Sequence, residues 1–370
     1  MPADPGRSGP RYAGAGGMTL DTLQQTGPGH APGSSGGLMS LLTQADVTDV
    51  LVNGSEVWVD RGHGLQRAGV WLGTPADVHR LAQRLAAAAG RRLDEGSPFV
   101  DARLPDGTRL HAALPPVARG GPYLSLRTLR RRAFSLPELI AAGSLDAGAA
   151  ALLAAIVAAR LAYLVAGGTG AGKTTLLATL LSLVPPTERI VIVEDSAELR
   201  PAHPHAVSLE ARPSNVEGAG AVTLRNLVRQ ALRMRPDRLV VGECRGAEVI
   251  DLLGALNTGH EGGAGTLHAN SSADVPARLE ALGLLGGVPR EALHAQIAAA
   301  FQVVLQVRAT PTGRVLDEVC LLLPSTGAAL VRAVPAWRRD RGAGPAAPLL
   351  ADLLVRRGVA PPAVLRGEPK

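Results

Sequence analysis

The eight-residue segment 167–174 is the part of this sequence that most restricts how the chain can fold. It reads Gly-Gly-Thr-Gly-Ala-Gly-Lys-Thr and fits the pattern G-x-x-x-x-G-K-[ST]. Glycines allow the backbone to curl until successive N–H groups point at phosphate oxygens, and a helix that follows directs its positive end at the same anion. An apolar run at 162–166 precedes the segment, and a helix-forming run at 175–183 follows it. The sequence therefore predicts a strand, a phosphate-binding loop and a helix, in this order.

Lysine is nearly absent from the chain, which draws attention to the one inside this segment. The chain has two lysines, Lys173 and Lys370, against 36 arginines. The planar guanidinium of arginine does not fit the space that a compact ammonium fills beside β- and γ-phosphates. We expect Lys173 to bind those phosphates and the Thr174 hydroxyl to bind Mg²⁺; the alternative is a glycine-rich turn without a ligand. The predicted nucleotide-binding residues are Gly167, Gly168, Thr169, Gly170, Ala171, Gly172, Lys173, Thr174 and Thr175.

Acidic residues follow two predicted strands of the same region. Glu194 and Glu198 come after the apolar run 190–193, and Glu243 comes after a second run that ends in Gly242. The carboxyl ends of parallel strands are where such sheets bind ligands, and a phosphate loop needs carboxylates to hold the Mg²⁺ shell and to polarise a water. Since a glycine stands before Glu243, we expect this carboxylate to contact Mg²⁺ through water. The alternative for each residue is a solvated loop charge.

Two histidines flank a glycine-rich segment further along the chain. His260 and His268 have a spacing that matches no common metal-ligand pattern, and no cysteine is near them. A polar loop that faces the γ-phosphate fits better, because a histidine can respond to charge at a neighbouring site. Ordinary loop histidines are the alternative.

Three arginines of the amino-terminal half are further candidates. An arginine supplied by another domain or subunit can stabilise a phosphoryl group during transfer, typically by a factor of about 10³–10⁵. Arg103, Arg109 and Arg127 could act in this way. Taken singly, each of them is equally well interpreted as a surface charge.

Changes in residue pattern along the chain predict two folded domains. Short alternating strands and one helix indicate a small α+β domain at 39–126, and strands that alternate with helices indicate a doubly wound, mainly parallel α/β sheet at 138–334. Residues 127–137 are predicted to be a linker. Residues 1–38 hold ten glycines and five prolines and are predicted to be disordered. Residues 335–370 are predicted to be a basic, solvated tail rich in Arg, Pro and Ala.

Charge and composition argue against several classes of function. The net charge is +6, and residues 335–370 carry +4 of it, so the remaining body is nearly neutral. With nine aromatic residues, no basic groove with stacking aromatics is visible, and nucleic acid is a disfavoured partner. The longest apolar run, 147–159, is too short to span a bilayer, and two distant cysteines fit a reducing compartment. We expect a cytoplasmic protein whose membrane contact is peripheral.

Taken together, these stretches resemble the type II/type IV secretion ATPase superfamily, and within it the CpaF-like branch of Tad (Flp) pilus assembly. The segment 193–199 resembles the family's Asp box, 232–246 its atypical Walker B segment and 258–271 its His box. Gly242 before Glu243 follows the family pattern. The stretches that carry the resemblance are 49–54, 57–59, 103–109, 167–174, 193–199, 232–246 and 258–271.

The resemblance implies a RecA-like ATPase domain preceded by the smaller domain, in a subunit that forms a ring, usually a hexamer. It implies ATP and Mg²⁺ as cofactors, inner-membrane platform proteins of a pilus or secretion system as partners, and nucleotide bound between the two domains. It further implies that Glu198 activates the water, with Glu194 as second candidate, that Glu243 supports Mg²⁺ or the water, and that His260 and His268 line the nucleotide side of the subunit contact. Arg103, Arg109 and Arg127 match arginines that reach phosphate in relatives.

Two alternatives share this fold. One is a motor of conjugative DNA transfer, which the arginine cluster at 127–132 and the basic tail keep open. The other is a regulator that binds nucleotide without hydrolysing it. The complete set of acidic residues argues against the regulator.

Overall fold

The computed structural model describes residues 34–44, 46–62, 64–128, 133–212, 220–325 and 330–366. They form two compact units, and the chain passes from one to the other at residues 130–131. This division falls inside the predicted linker 127–137. Both ends of that linker belong to regular elements, however, since a strand extends to Arg127 and a helix begins at Leu136. The arginines at 130–132 lie outside the described residues.

The first unit is a six-stranded antiparallel sheet with two helices. Its elements are α1 (Ser34–Leu42), β1 (Asp49–Asn53), β2 (Glu56–Asp60), β3 (Leu65–Arg67), α2 (Pro75–Ala88), β4 (Phe99–Arg103), β5 (Arg109–Ala113) and β6 (Tyr123–Arg127). The strand order is β3-β2-β1-β6-β5-β4. Every neighbouring pair is antiparallel.

Alternation of side chains decides which face of this sheet is buried. Every second residue of β1 and β2 is apolar, so that Val50 and Val57 point into the core. On α2, Leu81 and Leu85 are one helical turn apart and enter the same core. The helix starts at Thr74, whose hydroxyl accepts a hydrogen bond from a backbone N–H of the first turn, which satisfies one of the donors that a helix start leaves open. One face of the sheet is thereby left to carry polar residues.

Order begins earlier than the sequence predicts. The segment 1–38 is predicted to be disordered, yet α1 begins at Ser34 and Leu38 is 1% exposed in the core of the first unit. The reason is that Leu38, Leu41 and Leu42 supply apolar surface that the glycines before them lack. Residues 1–33 lie outside the described residues.

The second unit is built on a nine-stranded sheet. Its elements are α3 (Leu136–Ala141), α4 (Ala147–Ala158), β7 (Tyr163–Ala166), α5 (Lys173–Leu181), β8 (Ile190–Glu194), β9 (Ala206–Glu210), α6 (Leu224–Ala231), β10 (Arg238–Cys244), α7 (Glu248–Leu256), β11 (Ala264–Leu267), α8 (Val275–Leu285), α9 (Arg290–Ala300), β12 (Val303–Thr310), β13 (Gly313–Pro324), β14 (Val331–Arg338), β15 (Gly342–Ala343) and α10 (Ala347–Arg356). The strand order is β15-β14-β13-β12-β7-β11-β10-β8-β9. The six strands from β12 to β9 run parallel, and β13, β14 and β15 continue the sheet in antiparallel pairs.

Both faces of the central strands are covered, as the continuous apolar runs of β7 and β8 require. One core cluster contains residues of α4, α5 and α10, and the other contains residues of α6, α7, α8 and α9. This arrangement confirms the prediction of a doubly wound, mainly parallel sheet. Across the described ranges, no helix combines the length and the apolar character needed to cross a membrane.

The prediction of a solvated tail at 335–370 is wrong. Trp337 on β14 is fully buried, and Leu350 and Leu354 on α10 pack into the same core cluster. The basic residues between these positions lie toward the surface, where Arg338 pairs with Glu318 at 3.1 Å. The prediction was based on the number of charges in the segment and overlooked the apolar residues between them. The second domain therefore extends through the last described residue instead of ending at 334.

Two neighbouring leucines of α10 test this correction. Leu350 is fully buried, whereas Leu349 is 49% exposed. We expect Leu350→Ala to lower the free energy of unfolding by about 2–5 kcal/mol, because it leaves a cavity in the core. Leu349→Ala is expected to change it by less than about 0.5 kcal/mol. Urea unfolding of both variants measures the difference, and two equally stable variants would restore the solvated tail.

Candidate nucleotide-binding site

The segment 167–174 joins β7 to α5 at the carboxyl edge of the parallel strands. Two of its glycines have left-handed backbone conformations, Gly170 with φ +70° and Gly172 with φ +94°. Gly167 is required for a different reason: a Cβ atom there would come 2.5 Å from the backbone oxygen of Val307. Since other residues rarely adopt positive φ, the glycines permit the curled backbone that a phosphate loop needs.

Lys173 occupies the first turn of α5 and is 8% exposed. Its Nζ donates hydrogen bonds to the carbonyl oxygens of Gly167, at 3.1 Å, and Gly168, at 2.9 Å. Burial lowers the pKa of this ammonium, the carboxylate of Glu243 opposes that shift, and the guanidinium of Arg245 adds to it. The structure thus encloses a single compact cation within the loop.

The structure brings three of the predicted residues together beside this loop. His268 Nε2 lies 2.7 Å from Glu243 Oε1, and Lys173 Nζ lies 3.3 and 3.4 Å from the two ring nitrogens of His268. Arg245, which the sequence analysis missed, contributes an Nη2 atom 2.5 Å from Glu243 Oε2. Glu243 and His268 meet because β10 and β11 are parallel neighbours whose carboxyl ends lie at the same edge.

The pKa of the His268 imidazole lies below its ordinary value, chiefly because the ring is partly buried. Burial lowers the pKa of His268, and Lys173 and Arg245 lower it further, whereas Glu243 acts in the opposite direction. His268 Nε2 and Glu243 Oε1 are close but not aligned for a hydrogen bond, so this buried carboxylate oxygen has no hydrogen-bond partner among the described residues. The cluster therefore places the imidazole of His268 beside both the ammonium of Lys173 and the carboxylate of Glu243.

Glu194 ends β8 and is 4% exposed. Its Oε1 accepts hydrogen bonds from the backbone N–H groups of Glu198 and Leu199, both at 3.0 Å. Glu194 thus holds the backbone of the segment that carries Glu198. The roles of Glu198 and Glu194 toward a water stay predictions.

The glycine that precedes Glu243 has a packing reason. A Cβ atom at Gly242 would lie 2.5 Å from Cγ of Glu194, on the neighbouring strand. A larger residue would push Glu194 away from the backbone that it holds. The unusual Gly-Glu pair at the end of β10 is therefore a consequence of where the Glu194 side chain lies.

His260 is placed at the end of α7, where its Nδ1 lies 3.2 Å from the carbonyl oxygen of Ala255. The same carbonyl oxygen also accepts hydrogen bonds from the backbone N–H and the hydroxyl of Thr258, both at 3.1 Å. His260 therefore has a local structural partner, and its predicted contact with nucleotide stays a prediction.

The three candidate arginines form one row in the first unit. Arg103 on β4 is in register with Arg109 on β5, and Arg109 is in register with Arg127 on β6. Arg109 pairs with Asp101 at 2.8 Å and Arg127 with Asp49 at 2.9 Å. Neighbouring strands are about 4.8 Å apart, so the three arginines stand side by side, and aspartates compensate two of their charges. Which of these arginines reaches a phosphate stays a prediction.

A fourth arginine, which sequence reasoning missed, contacts the phosphate loop directly. Arg314 at the start of β13 donates from Nε to the carbonyl oxygen of Gly170 at 2.7 Å. Arg314 and Gly170 are 144 positions apart in the sequence, and no motif links them. The residues at 310–313 indicate a hairpin turn before Arg314. Without the order of strands in the sheet, this turn cannot be placed beside the phosphate loop.

The residues present fit a magnesium ion held together with a nucleotide. Among the residues that the structure describes, no group of three or more His, Cys, Asp or Glu side chains is placed to hold a metal ion by itself. Mg²⁺ in nucleotide sites takes one or two protein oxygens and completes its shell with phosphate oxygens and waters. A hydroxyl from Thr174 and a carboxylate from Glu243 acting through water are such a partial set.

The fold and the loop define a RecA-like P-loop protein with a smaller α+β domain before it. Residues 34–322 match the family described as Type II/IV secretion system protein, and the chain belongs to this family.

Two relatives are similar over most of their length. A putative conjugal transfer protein of Mycobacterium tuberculosis (strain ATCC 25618 / H37Rv) is 58% identical over 88% of this chain and 94% of its own. The conjugal transfer protein TrbB of Rhizobium radiobacter is 30% identical over 75% of this chain and 84% of its own. A solved structure, the pilus retraction motor PilT with bound ADP, aligns with a TM-score of 0.55 at 23% identity, over 79% of this chain and 83% of that one. This last likeness concerns the fold.

Packing of Glu194 against Gly242 leads to a stability prediction. We expect Gly242→Ala to lower the free energy of unfolding by about 1–3 kcal/mol, because the new methyl group would overlap the side chain of Glu194. Gly254→Ala is the matched control: nothing lies within 4 Å of its Cβ position, and it stands inside α7. That substitution should stabilise by about 0.5–1 kcal/mol. Urea unfolding of both variants measures these changes. A Gly242→Ala variant as stable as the parent protein would contradict the packing argument.

Proposed function

We propose that this protein is a Mg²⁺-dependent ATPase that powers assembly or transport at the inner face of the cell membrane. The single observation that carries the proposal is the cluster of Lys173, His268 and Glu243 beside the phosphate loop. Membership of the Type II/IV secretion system protein family supports it.

Each group in the site has a chemical task in this proposal. The N–H groups of the loop and the start of α5 bind the phosphates, and Lys173 neutralises charge on the β- and γ-phosphates. Thr174 would hold Mg²⁺ with help from Glu243 through water, and the metal would draw charge from the phosphate oxygens. Glu198 accepts the proton of the attacking water. His268, which lies beside Glu243, would sense the terminal phosphate.

The work of the enzyme would be done by an assembly. We propose a ring, hexameric by resemblance, in which Arg103, Arg109 and Arg127 reach the phosphates of a nucleotide. Their alignment in one row supports this, because it places three arginines side by side on three neighbouring strands. The partners would be platform proteins of the inner membrane, and the protein would be cytoplasmic with peripheral membrane contact. The Tad pilus branch is our first choice of system.

Conjugative DNA transfer is the second candidate. The names of the relatives from Mycobacterium tuberculosis and Rhizobium radiobacter favour it, since both are described as conjugal transfer proteins. The small number of aromatic residues, nine in the chain, argues against a groove that stacks single-stranded DNA.

Turnover and binding can be separated with two substitutions. Lys173→Ala should remove both ATP binding and hydrolysis, because the loop loses its cation. Glu198→Gln should keep ATP binding but lose about 10²–10⁴-fold in turnover, the usual contribution of a positioned acid or base. Glu291→Gln, an exposed residue in the first turn of α9, is the matched control and should retain the parent rate. Steady-state phosphate release and ATP titration measure both properties; parent-like turnover in Glu198→Gln would mean that another group is the base.

DNA tells the two candidate systems apart. If the protein drives pilus assembly or protein export, single- or double-stranded DNA should leave its ATPase rate unchanged. A DNA-coupled motor would show stimulation that falls steeply between about 50 and 200 mM salt, as counterion release requires. ATPase rates of the full chain with and without DNA, across this range, provide the test.

A further inference from the structure

The hairpin between β12 and β13 lies beside the phosphate loop. β12 runs parallel to β7, with Gln306 opposite Ala166 at the end of the pairing, so the chain after Gln306 continues past the end of β7. The backbone oxygen of Val307 is the atom that a Cβ at Gly167 would meet. The hairpin is therefore packed against the start of the loop.

Arg314 connects this hairpin to the two left-handed glycines. Its Nε donates to Gly170 O, and its Cδ lies 3.2 Å from the point where a Cβ of residue 172 would stand. In a loop whose N–H groups face an anion, carbonyl groups face outward and need other donors. Arg314 supplies such a donor at Gly170 and covers Gly172 with its aliphatic part, so it holds the loop from outside.

The hairpin and the acidic cluster lie on opposite flanks of β7. β11, β10 and β8 follow β7 on one side and bring His268, Glu243 and Glu194, whereas β12 and β13 follow on the other side and bring Arg314. Arg314 thus contacts the phosphate loop from the flank that lies away from the acidic cluster.

A cavity opens at this second flank. Its volume is about 340 Å³, and its lining includes Gly143, Thr310, Arg314 and Arg339. Small-molecule pockets start at about 300 Å³, so the space suffices for a nucleoside. Nε of Arg314 is used by the loop, and a guanidinium has four more N–H groups on its Nη atoms to offer to a ligand in the cavity.

We propose that Arg314 is a positioning residue of the nucleotide site, which holds the phosphate loop through Gly170 and contacts the nucleoside side of a bound nucleotide in this cavity. The proposal rests on the proposed function, because it assumes that the loop binds a nucleotide. It makes the β12–β13 hairpin a part of the site, although no motif of the sequence marks it.

A comparison of ADP with pyrophosphate tests both halves of the proposal. Pyrophosphate occupies the loop without a nucleoside, so it reports on the shape of the loop alone. We expect Arg314→Ala to weaken ADP binding at least about tenfold, the usual effect of losing a charge-assisted hydrogen bond, and to weaken pyrophosphate binding less. KM for ATP should rise more than kcat falls. Calorimetric titration of the full chain measures both ligands.

The control is Arg332→Ala, which removes an exposed arginine of β14. Arg332 lies opposite Leu323 in the sheet, far along β13 from the hairpin turn. It should leave both affinities unchanged. Equal losses for ADP and pyrophosphate in Arg314→Ala would overturn the nucleoside contact, and unchanged affinities would overturn the whole proposal. If the parent protein binds neither ligand, the proposed function itself fails, which separates that failure from failure of this inference. Equal thermal melting of the variant and the parent shows that the fold is intact.

Discussion

The enclosure of the Lys173 ammonium is the interaction on which the rest of the site depends. A buried cation is unfavourable unless hydrogen bonds and opposite charge surround it. Carbonyl oxygens of Gly167 and Gly168 provide the hydrogen bonds, and Glu243 provides the charge across His268. The curl of the loop brings the two carbonyl oxygens to the ammonium, and the pairing of β10 with β11 brings Glu243 beside His268.

A second constraint acts on the neighbouring strands. Glu194 holds the backbone that leads to Glu198, and its side chain passes over a position where only hydrogen fits, at Gly242. An acidic group is thereby kept 4% exposed while its Oε1 accepts two hydrogen bonds. The proposed base is attached to a segment whose geometry is set by packing between two strands, so substitutions that touch neither nucleotide nor water can change its position.

The carboxyl-terminal elements also support the nucleotide-binding unit. β13 and β14 extend the sheet, α10 covers one face, and the hairpin that begins this extension touches the phosphate loop through Arg314. The segment that its basic residues made look like a tail therefore completes the fold of the second unit. Its buried residues, such as Trp337, contribute to the core on which β7 and α5 rest.

The sequence by itself predicted the phosphate loop, the alternation of strands with helices, and Lys173 and Glu243 at one edge of the sheet with His268 as a further candidate, because motif, hydrophobic runs and strand ends are local properties. It could not determine that 335–370 is folded, since seven basic residues outweighed an apolar pattern whose partners lie elsewhere in the chain. It also could not identify Arg245 and Arg314 or explain Gly242. Only the tertiary structure decided these, because contacts across parallel strands depend on the order of strands in the sheet, and nothing in the spacing of residues along the chain encodes that order.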